Sequence, residues 1–312
     1  MRQDRRDGQD GREGKDLSRP ADPARPAHPA RTIREIVAAA SDRLREAGIS
    51  QAANLDARLL AQHVLGWDSA RLLATAGEAA PADFPAAYEP LVARRAAREP
   101  LAYITGHREF FGLEFEVTPA VLIPRPETEI IVEAVLTSMP TSKLFTMIDA
   151  CTGCGNIAVA VAKERANARI VATDVSPAAL DVARRNAVRH GVESRVTFVK
   201  ADLCTGVDGP VDIITANPPY VPERSRQGLQ PEVGVHEPHV ALFGGEDGLE
   251  VVRRLVREAP PLLRPGGYLM FEFGMGQEIE VEAFVKTSPD LTLLDLKRDL
   301  QGIARTVIAR RV

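Results

Sequence analysis

From residue 144 to the C-terminus, short apolar runs of strand length alternate with segments that have the periodicity of amphipathic helices. Parallel strands need a long crossover connection, usually a helix, so this alternation predicts an α/β fold with a mostly parallel sheet. A turn is expected at Pro265-Gly266-Gly267. The seven predicted strands are residues 144–148, 169–173, 196–200, 211–216, 268–273, 291–296 and 303–310.

Composition divides the chain into four parts. Residues 1–30 contain almost no large apolar side chain, so we predict a disordered tail. Residues 31–105 contain amphipathic segments without reactive motifs and predict a small helical domain that recognises a substrate. Residues 106–125 predict a β-hairpin linker, and residues 126–312 form the sheet domain. Within that domain, the long connection at 221–248 is a candidate lid.

Overall charge and cysteine content narrow the classes of protein. The chain has 312 residues, and 39 Lys and Arg against 43 Asp and Glu leave a net charge of −4. A dedicated nucleic-acid surface needs a basic excess, so direct nucleic-acid binding is not expected. No apolar run approaches the roughly 18 residues of a membrane span. Three cysteines are too few for a disulfide framework, which predicts a cytoplasmic protein.

The fourth predicted strand stops at Asn217-Pro218-Pro219-Tyr220. Neither proline has an N–H to donate to a neighbouring strand, so the ladder must end there. A residue before proline favours extended backbone, which lets Asn217 aim its amide across the carboxyl end of the strand. The Asn217 side-chain oxygen and the Pro218 carbonyl can each accept one hydrogen of a planar NH2 group, and Tyr220 can cover its flat face. The alternative for these four residues alone is a surface turn.

Three other loops follow predicted strands at the same edge of the sheet. Gly153 and Gly155 let a ligand approach the backbone at a helix N-terminus. Asp174 ends the second strand, where a carboxylate commonly accepts both ribose hydroxyls of a nucleoside cofactor. Asp202 and Leu203 end the third strand and are placed for an adenine amine and ring. Together these loops suit a nucleoside without a pyrophosphate, although each alone also fits a turn, a helix cap or a loop acid.

Five segments carry a resemblance that runs from about Thr32 to the C-terminus: residues 99–106, 108–113, 123–129, 217–220 and 241–249. In them the chain resembles the class I S-adenosylmethionine-dependent methyltransferases and, among these, the glutamine N5-methyltransferases of peptide release factors, the PrmC or HemK family. Asn-Pro-Pro-Tyr alone also occurs in methylases of adenine and guanine amines. The segment Pro124-Arg125-Pro126-Glu127-Thr128-Glu129, together with the Phe-Phe-Gly hairpin, is similar to the glutamine enzymes.

The resemblance implies a Rossmann-like class I methyltransferase sheet, S-adenosyl-L-methionine as cofactor, and class I peptide chain release factors as protein substrates. Methyl transfer to the side-chain amide nitrogen of the glutamine in a Gly-Gly-Gln motif is the implied reaction. The implied cofactor-binding residues are Cys151, Thr152, Gly153, Cys154, Gly155, Asp174, Asp202, Leu203 and Asn217. The implied catalytic residues are Asn217, Pro218 and Tyr220. The implied substrate-binding residues are Asn217, Pro218, Pro219, Tyr220, Phe110 and Arg125.

The chain departs from the family in the glycine loop. Cys151 stands at a usual glycine position, where a Cβ costs on the order of 1 kcal/mol if φ is positive. Cys154 stands where Ser, Thr or Gly is typical. The amides of a helix N-terminus favour a thiolate at Cys154, which would make the pair oxidisable. The preferred interpretation is that both are small, inert wall residues.

Other functions fit parts of the sequence. A sister enzyme acting on a glutamine of a large-subunit ribosomal protein shares the motifs. An adenine or guanine methylase of nucleic acid shares Asn-Pro-Pro-Tyr but should carry a basic, aromatic recognition region. A dithiol redox module fits Cys151 to Cys154 but leaves Asp174 and Asn217 without roles. A zinc site is not expected, because Cys204 is the only other thiol.

Overall fold

The computed structural model describes residues 31–312. The predicted disordered tail, residues 1–30, lies outside the described residues. The described chain begins with a cluster of helices in the region predicted to be helical. They are α1 (Ile33–Glu46), α2 (Ala53–Leu65), α3 (Ser69–Ala74), α4 (Phe84–Ala96) and α5 (Leu101–Thr105).

The helices of this cluster pack around an apolar core of their own. Helix α1 begins at a capping box in which the Thr32 hydroxyl accepts from the Glu35 N–H and the Glu35 carboxylate accepts from the Thr32 N–H. The buried Arg95 guanidinium donates to the buried Asp56 carboxylate at 2.7 Å. A buried charge is tolerated only when it is paired, so this contact fixes α4 against α2.

A two-stranded antiparallel hairpin follows, made of β1 (His107–Phe110) and β2 (Leu113–Glu116). Its two turn residues, Phe111 and Gly112, both have positive φ, 52° and 72°. Positive φ at both positions is the geometry whose twist matches that of the flanking strands. The hairpin predicted between the helices and the sheet is therefore present.

Nine strands in all are described, and seven of them form the main sheet in the order β5-β4-β3-β6-β7-β9-β8. The first five of these lie parallel, and β9 runs antiparallel to β7 and β8. This confirms the predicted mostly parallel, seven-stranded sheet. Its strands are β3 (Phe145–Ala150), β4 (Ala168–Asp174), β5 (Val196–Lys200), β6 (Val211–Ala216), β7 (Leu263–Glu272), β8 (Leu291–Arg298) and β9 (Ala304–Arg311).

Helices cover both faces of the sheet. Alternate residues of a strand point to opposite faces, so Met147 packs with one layer and Ile148 with the other. The first layer contains α6 (Glu129–Ser138), α7 (Asn156–Glu164) and α8 (Pro177–Arg189). The second layer contains α11 (Glu250–Glu258) and α12 (Glu278–Thr287), which follow two short helices, α9 (Pro231–Gly234) and α10 (His239–Leu242).

The turn predicted at Pro265-Gly266-Gly267 is wrong. These residues lie inside β7, where the register against β6 shifts between the pairs Val211–Leu263 and Ile213–Tyr268. The extra residues form a bulge, and Gly266 takes a φ of 79°. A proline and two glycines predict a break in the backbone, but not whether pairing resumes beyond it.

The sheet order places a switch point between β3 and β6. The chain runs from β3 outward through β4 and β5, then returns to place β6 on the other side of β3. In open α/β sheets, ligands bind at such a point, outside the carboxyl ends of the strands. The loop after β3 and the Asn-Pro-Pro-Tyr stop after β6 therefore meet at one edge.

The connection predicted to be a long loop contains short helices and is held by two acids. Glu232 lies in α9 and accepts from Arg98 at 2.6 Å and from Arg95 at 3.0 Å. Although burial opposes it, hydrogen bonds from these arginines hold the pKa of Glu232 at about 2. Glu237 accepts from Arg125 at 2.5 Å. The connection is thus tied to the helical cluster and to the segment before α6. Among residues 31–312, no helix is long and apolar enough to cross a membrane.

Candidate active site

A cavity of about 1160 Å³, its open mouth included, lies at the carboxyl ends of β3, β4, β5 and β6. Most of the residues predicted to bind cofactor or substrate line it. They are Arg125, Cys151, Thr152, Gly153, Cys154, Asp174, Asp202, Leu203, Asn217 and Pro219. Four predicted residues do not line it: Phe110, Gly155, Pro218 and Tyr220.

The loop after β3 is held against the end of β4. The Gly153 N–H donates to Asp174 Oδ2 at 3.0 Å, and the Ser176 N–H donates to Asp174 Oδ1 at 2.9 Å. Burial raises the pKa of Asp174 above its usual range, and these backbone donors oppose that rise. Each carboxylate oxygen keeps a further lone pair for a ligand hydroxyl.

Gly155 has a packing role instead of the predicted contact with a ligand. It has a φ of 82°, and a Cβ built there would lie 3.1 Å from the Cβ of Ala183 in α8. Its missing side chain allows α7 and α8 to approach closely. The cavity wall is formed by its neighbours in the loop.

Cys151 adopts the left-handed backbone conformation, with a φ of 56°. This is the strained case anticipated for a non-glycine residue at this position. Burial raises the pKa of the Cys151 thiol, with Asp174 adding to the rise, and burial raises the pKa of the Cys154 thiol to about 12. Both thiols are therefore neutral, which contradicts a thiolate favoured by the helix N-terminus. The preferred interpretation, small neutral wall residues, fits this geometry.

The end of β5 presents one strained and one charged residue. Leu203 is buried with a φ of 51°, and its carbonyl accepts from the Thr173 hydroxyl at 2.6 Å. Asp202 lies at the rim, where its carboxylate pairs with Arg254 at 3.0 Å. Its side chain is 54% exposed. An adenine amine would share Asp202 with this arginine.

The Asn217 amide is half paired. Its Nδ2 donates to the Thr128 hydroxyl at 3.0 Å. Its Oδ1 is buried and has no hydrogen-bond partner within the described part of the chain. Most buried polar atoms are paired, and leaving one unpaired costs about 1–3 kcal/mol. A buried acceptor without a partner, on a residue that lines a cavity, is suited to bind an N–H donor.

Sequence reasoning missed two residues behind Asn217. Thr128 donates its hydroxyl hydrogen to Glu272 Oε2 at 2.6 Å, and the Tyr220 phenol donates to Glu272 Oε1 at 2.9 Å. Burial raises the pKa of Glu272, and the two hydroxyls oppose that rise. A signal for Glu272 exists in the sequence: it is an acid within the apolar run of β7. Thr128 belongs to a quoted motif but had no assigned role.

Two predicted substrate residues lie elsewhere. The ring of Phe110 is 1% exposed and packs edge-on against Phe115 in the core, so it cannot contact a substrate. Tyr220 lies in a separate hollow with Met275 and Gln277. Its phenol is drawn to Glu272, because that buried carboxyl needs donors. The prediction that Tyr220 covers a substrate face has no support in this geometry.

Two known families match the chain. Residues 35–106 match the PrmC N-terminal domain, and residues 127–231 match the methyltransferase small domain. The catalytic domain of hMettl16, in complex with a MAT2A 3′UTR hairpin, has a similar fold, with a TM-score of 0.52 and 19% identity. That likeness covers 71% of this chain and 81% of the other. At this identity it shows the fold alone.

Curated relatives cover nearly the whole chain. The release factor glutamine methyltransferase of Koribacter versatilis is 39% identical over 90% of this chain and 99% of its own length. The release factor glutamine methyltransferase of Cereibacter sphaeroides is 42% identical over 88% of this chain and 97% of its own length. The release factor glutamine methyltransferase of Mycolicibacterium smegmatis is 41% identical over 90% of this chain and 98% of its own length.

The sheet and the matched domains define a methyltransferase with a Rossmann-like fold. More narrowly, the chain belongs to the release factor glutamine methyltransferase family.

The strain at Cys151 predicts an unusual order of stability between two variants. Cys151→Gly should be more stable than Cys151→Ala by about 1 kcal/mol, because both lack the sulfur and only alanine keeps a Cβ at positive φ. Urea unfolding of both variants measures the difference. The control is Ala39→Gly, in the exposed middle of α1, which should destabilise by about 1 kcal/mol. A more stable alanine variant at position 151 would contradict the left-handed backbone.

Proposed function

We propose that this protein transfers a methyl group from S-adenosyl-L-methionine to the side-chain amide nitrogen, N5, of the glutamine in the Gly-Gly-Gln motif of class I peptide chain release factors. The observation that carries the proposal is the buried Oδ1 of Asn217, which lines the cavity and has no hydrogen-bond partner among residues 31–312. A primary amide presents the N–H donors that such an acceptor needs.

The cavity residues fit the proposed cofactor. S-adenosyl-L-methionine, when bound, supplies an electrophilic methyl group on a positively charged sulfur. Asp174 has lone pairs left to accept from ribose hydroxyls, and the backbone at Gly153 lies beside it without a side chain in the way. Asp202 and the backbone of Leu203 are proposed for the adenine edge. Cys151, Thr152 and Cys154 are proposed as neutral wall.

The role proposed for Asn217 is to orient the reacting nitrogen. An amide nitrogen has a delocalised lone pair and is hardly basic, so its reaction depends on being held in attack geometry. Asn217 Oδ1 would accept one N–H of the substrate. The Pro218 carbonyl is proposed to accept the other, although Pro218 does not line the cavity. Arg125 lines the cavity and, with Pro219, is proposed to contact substrate near the reacting amide.

A release factor is favoured over the alternative substrates. The three relatives described above are release factor glutamine methyltransferases and cover most of this chain. This supports the release factor over a ribosomal protein or a nucleic acid.

Residues 31–105 are proposed to recognise the body of the release factor, because their helices are tied through Glu232 to the connection beside the cavity. We also propose a cytoplasmic location, because release factors act on ribosomes in the cytoplasm.

Incubation with labelled S-adenosyl-L-methionine tests this function. Purified class I release factor, large-subunit ribosomal protein, DNA and RNA are offered separately. We expect label only in the release factor, and peptide mass spectrometry should place the methyl group on the glutamine of Gly-Gly-Gln. A release factor whose Gly-Gly-Gln glutamine is changed to alanine is the control. Label in a nucleic acid or ribosomal protein instead would reject the proposed substrate.

Removing the Asn217 amide should slow methyl transfer. Asn217→Ala is expected to lower turnover by about 10² to 10³, because one placed hydrogen bond to the reacting group is lost. Cofactor affinity, measured by calorimetry, should remain appreciable. Asn167→Ala, which removes a surface asparagine, is the control and should turn over normally. Near-normal turnover of Asn217→Ala would reject the proposed role of this residue.

Cofactor affinity should fall at low pH through Asp174. Burial raises the pKa of Asp174, so its carboxylate becomes protonated at a higher pH than an ordinary aspartate. Protonation removes acceptor capacity for the ribose hydroxyls, so the Kd for S-adenosyl-L-methionine should rise as pH falls from 8 to 5. Asp174→Asn should bind S-adenosyl-L-methionine weakly at both pH 8 and pH 5. Its Kd should not show the part of the rise that comes from protonation of Asp174. Burial also raises the pKa of Asp149, to about 6, so any dependence left in Asp174→Asn belongs to other groups. Identical pH profiles for the two proteins would exclude Asp174.

A further inference from the structure

Two side chains behind Asn217 lie deep in the protein and come from different elements. Thr128 ends the short 3-10 helix before α6, and Glu272 is the last residue of β7. Both side chains are about 1% exposed. Thr128 lines the cavity beside Asn217, whereas Glu272 does not. Both oxygens of the Glu272 carboxylate accept from hydroxyls of the protein, those of Thr128 and Tyr220, so Glu272 acts through these neighbours.

The sheet register brings Asn217 and Glu272 together. Strands β6 and β7 are parallel, and Ala216 pairs with Phe271. Asn217 directly follows the last residue of β6, and Glu272 is the last residue of β7. The two residues therefore lie side by side at the carboxyl end of the sheet, and the side chains of both reach the Thr128 hydroxyl. The hydroxyl of Thr128 bridges them, 3.0 Å from Asn217 Nδ2 and 2.6 Å from Glu272 Oε2.

The hydrogen count at Thr128 restricts how the Asn217 amide can face. A hydroxyl has one hydrogen, and an ionised Glu272 can only accept, so the hydrogen of Thr128 is directed to Glu272. Thr128 then has only lone pairs left for Asn217, so the NH2 end of the amide must face Thr128. The oxygen end faces the other way and remains buried without a partner in the described chain. If the amide were reversed, its oxygen would meet a hydroxyl oxygen whose hydrogen is already used.

We propose that Thr128 and Glu272 are positioning residues that hold the Asn217 amide with its oxygen toward the substrate. This inference rests on the proposed function of Asn217 and specifies how its polarity is set. Glu272 draws the hydroxyl hydrogen of Thr128, and Thr128 in turn draws the Asn217 NH2 group. Tyr220 contributes by donating to the second oxygen of Glu272, which fixes the plane of that carboxyl group. The site selects an N–H donor because the opposite amide orientation is disfavoured.

A double-mutant cycle tests this coupling. Thr128→Val keeps the shape of the side chain and removes the hydroxyl, and should lower kcat about 10- to 100-fold. In the Asn217→Ala background the same change should alter kcat less than about threefold, because Thr128 acts only through the missing amide. Thr128→Ser restores the hydroxyl and should restore kcat. If Thr128→Val does not fold, Thr128→Ala takes its place.

Thr215→Val is the matched control. The Thr215 hydroxyl is equally buried and donates to a buried acid, Asp149, at 2.8 Å on the same strand as Asn217. It does not contact the Asn217 amide. Thr215→Val should therefore change kcat by the same factor in the wild-type protein and in the Asn217→Ala background. Full additivity of Thr128→Val with Asn217→Ala would overturn the proposal and leave Thr128 a purely structural residue.

A second measurement does not depend on which substrate is methylated. In protein with ¹⁵N-labelled asparagine side chains, the Asn217 signal is the one that disappears in Asn217→Ala. Thr128→Val should increase the exchange rate of its bonded Nδ2 hydrogen with water about tenfold, whereas Thr215→Val should not. An unchanged exchange rate in Thr128→Val would reject the proposal that Thr128 positions the Asn217 amide. If the release factor is not methylated while Thr128 still protects the amide, the proposed function fails and the positioning role stands.

Discussion

The functional edge of this protein depends on where β6 is forced to end. Pro218 and Pro219 have no N–H to give β3 or β7, so the ladder stops at Ala216 and the next side chain projects beyond the sheet. Because β6 lies at the switch point beside β3, this side chain enters the cavity bounded by the glycine loop. Without that termination, Asn217 would continue the strand inside a packed core.

Several features that destabilise the folded protein lie around this cavity. Asn217 Oδ1 is buried and, within residues 31–312, unpaired, and both Cys151 and Leu203 take left-handed backbone conformations. An unpaired buried oxygen costs about 1–3 kcal/mol, and each strained residue costs on the order of 1 kcal/mol. The apolar layers on both faces of the sheet offset these costs. The loops are thus held in shapes that favour a ligand over the stability of the free protein.

Two acids, the partly buried Glu232 and the buried Glu237, join the helical cluster to the cavity. Glu232 binds Arg95 and Arg98 of the cluster, and Glu237 binds Arg125 on the cavity wall. Both acids belong to the connection between β6 and α11, which also supplies Phe243 to the cavity. A protein substrate that contacts the helical cluster therefore touches a part that is bonded, through this connection, to the wall around the reacting group. The ion pairs of Glu232 and Glu237 thus connect the helical cluster and the cavity wall through one segment of the chain.

The sequence alone determined the order of the sheet strands and of the longer helices, because these depend on local periodicity. It also determined the capping box at Thr32, the hairpin and the stop at Asn217, which depend on side chains near their own backbone or on a missing N–H. It also identified most of the cavity loops, since the carboxyl ends of parallel strands share one edge. Only the tertiary structure decided that Phe110 is buried, that Tyr220 turns away to Glu272, and that Gly155 serves helix packing. It alone brought Thr128 to Glu272, residues 144 positions apart. Such contacts depend on which strands become neighbours and on side-chain directions across the sheet, and no local pattern encodes them.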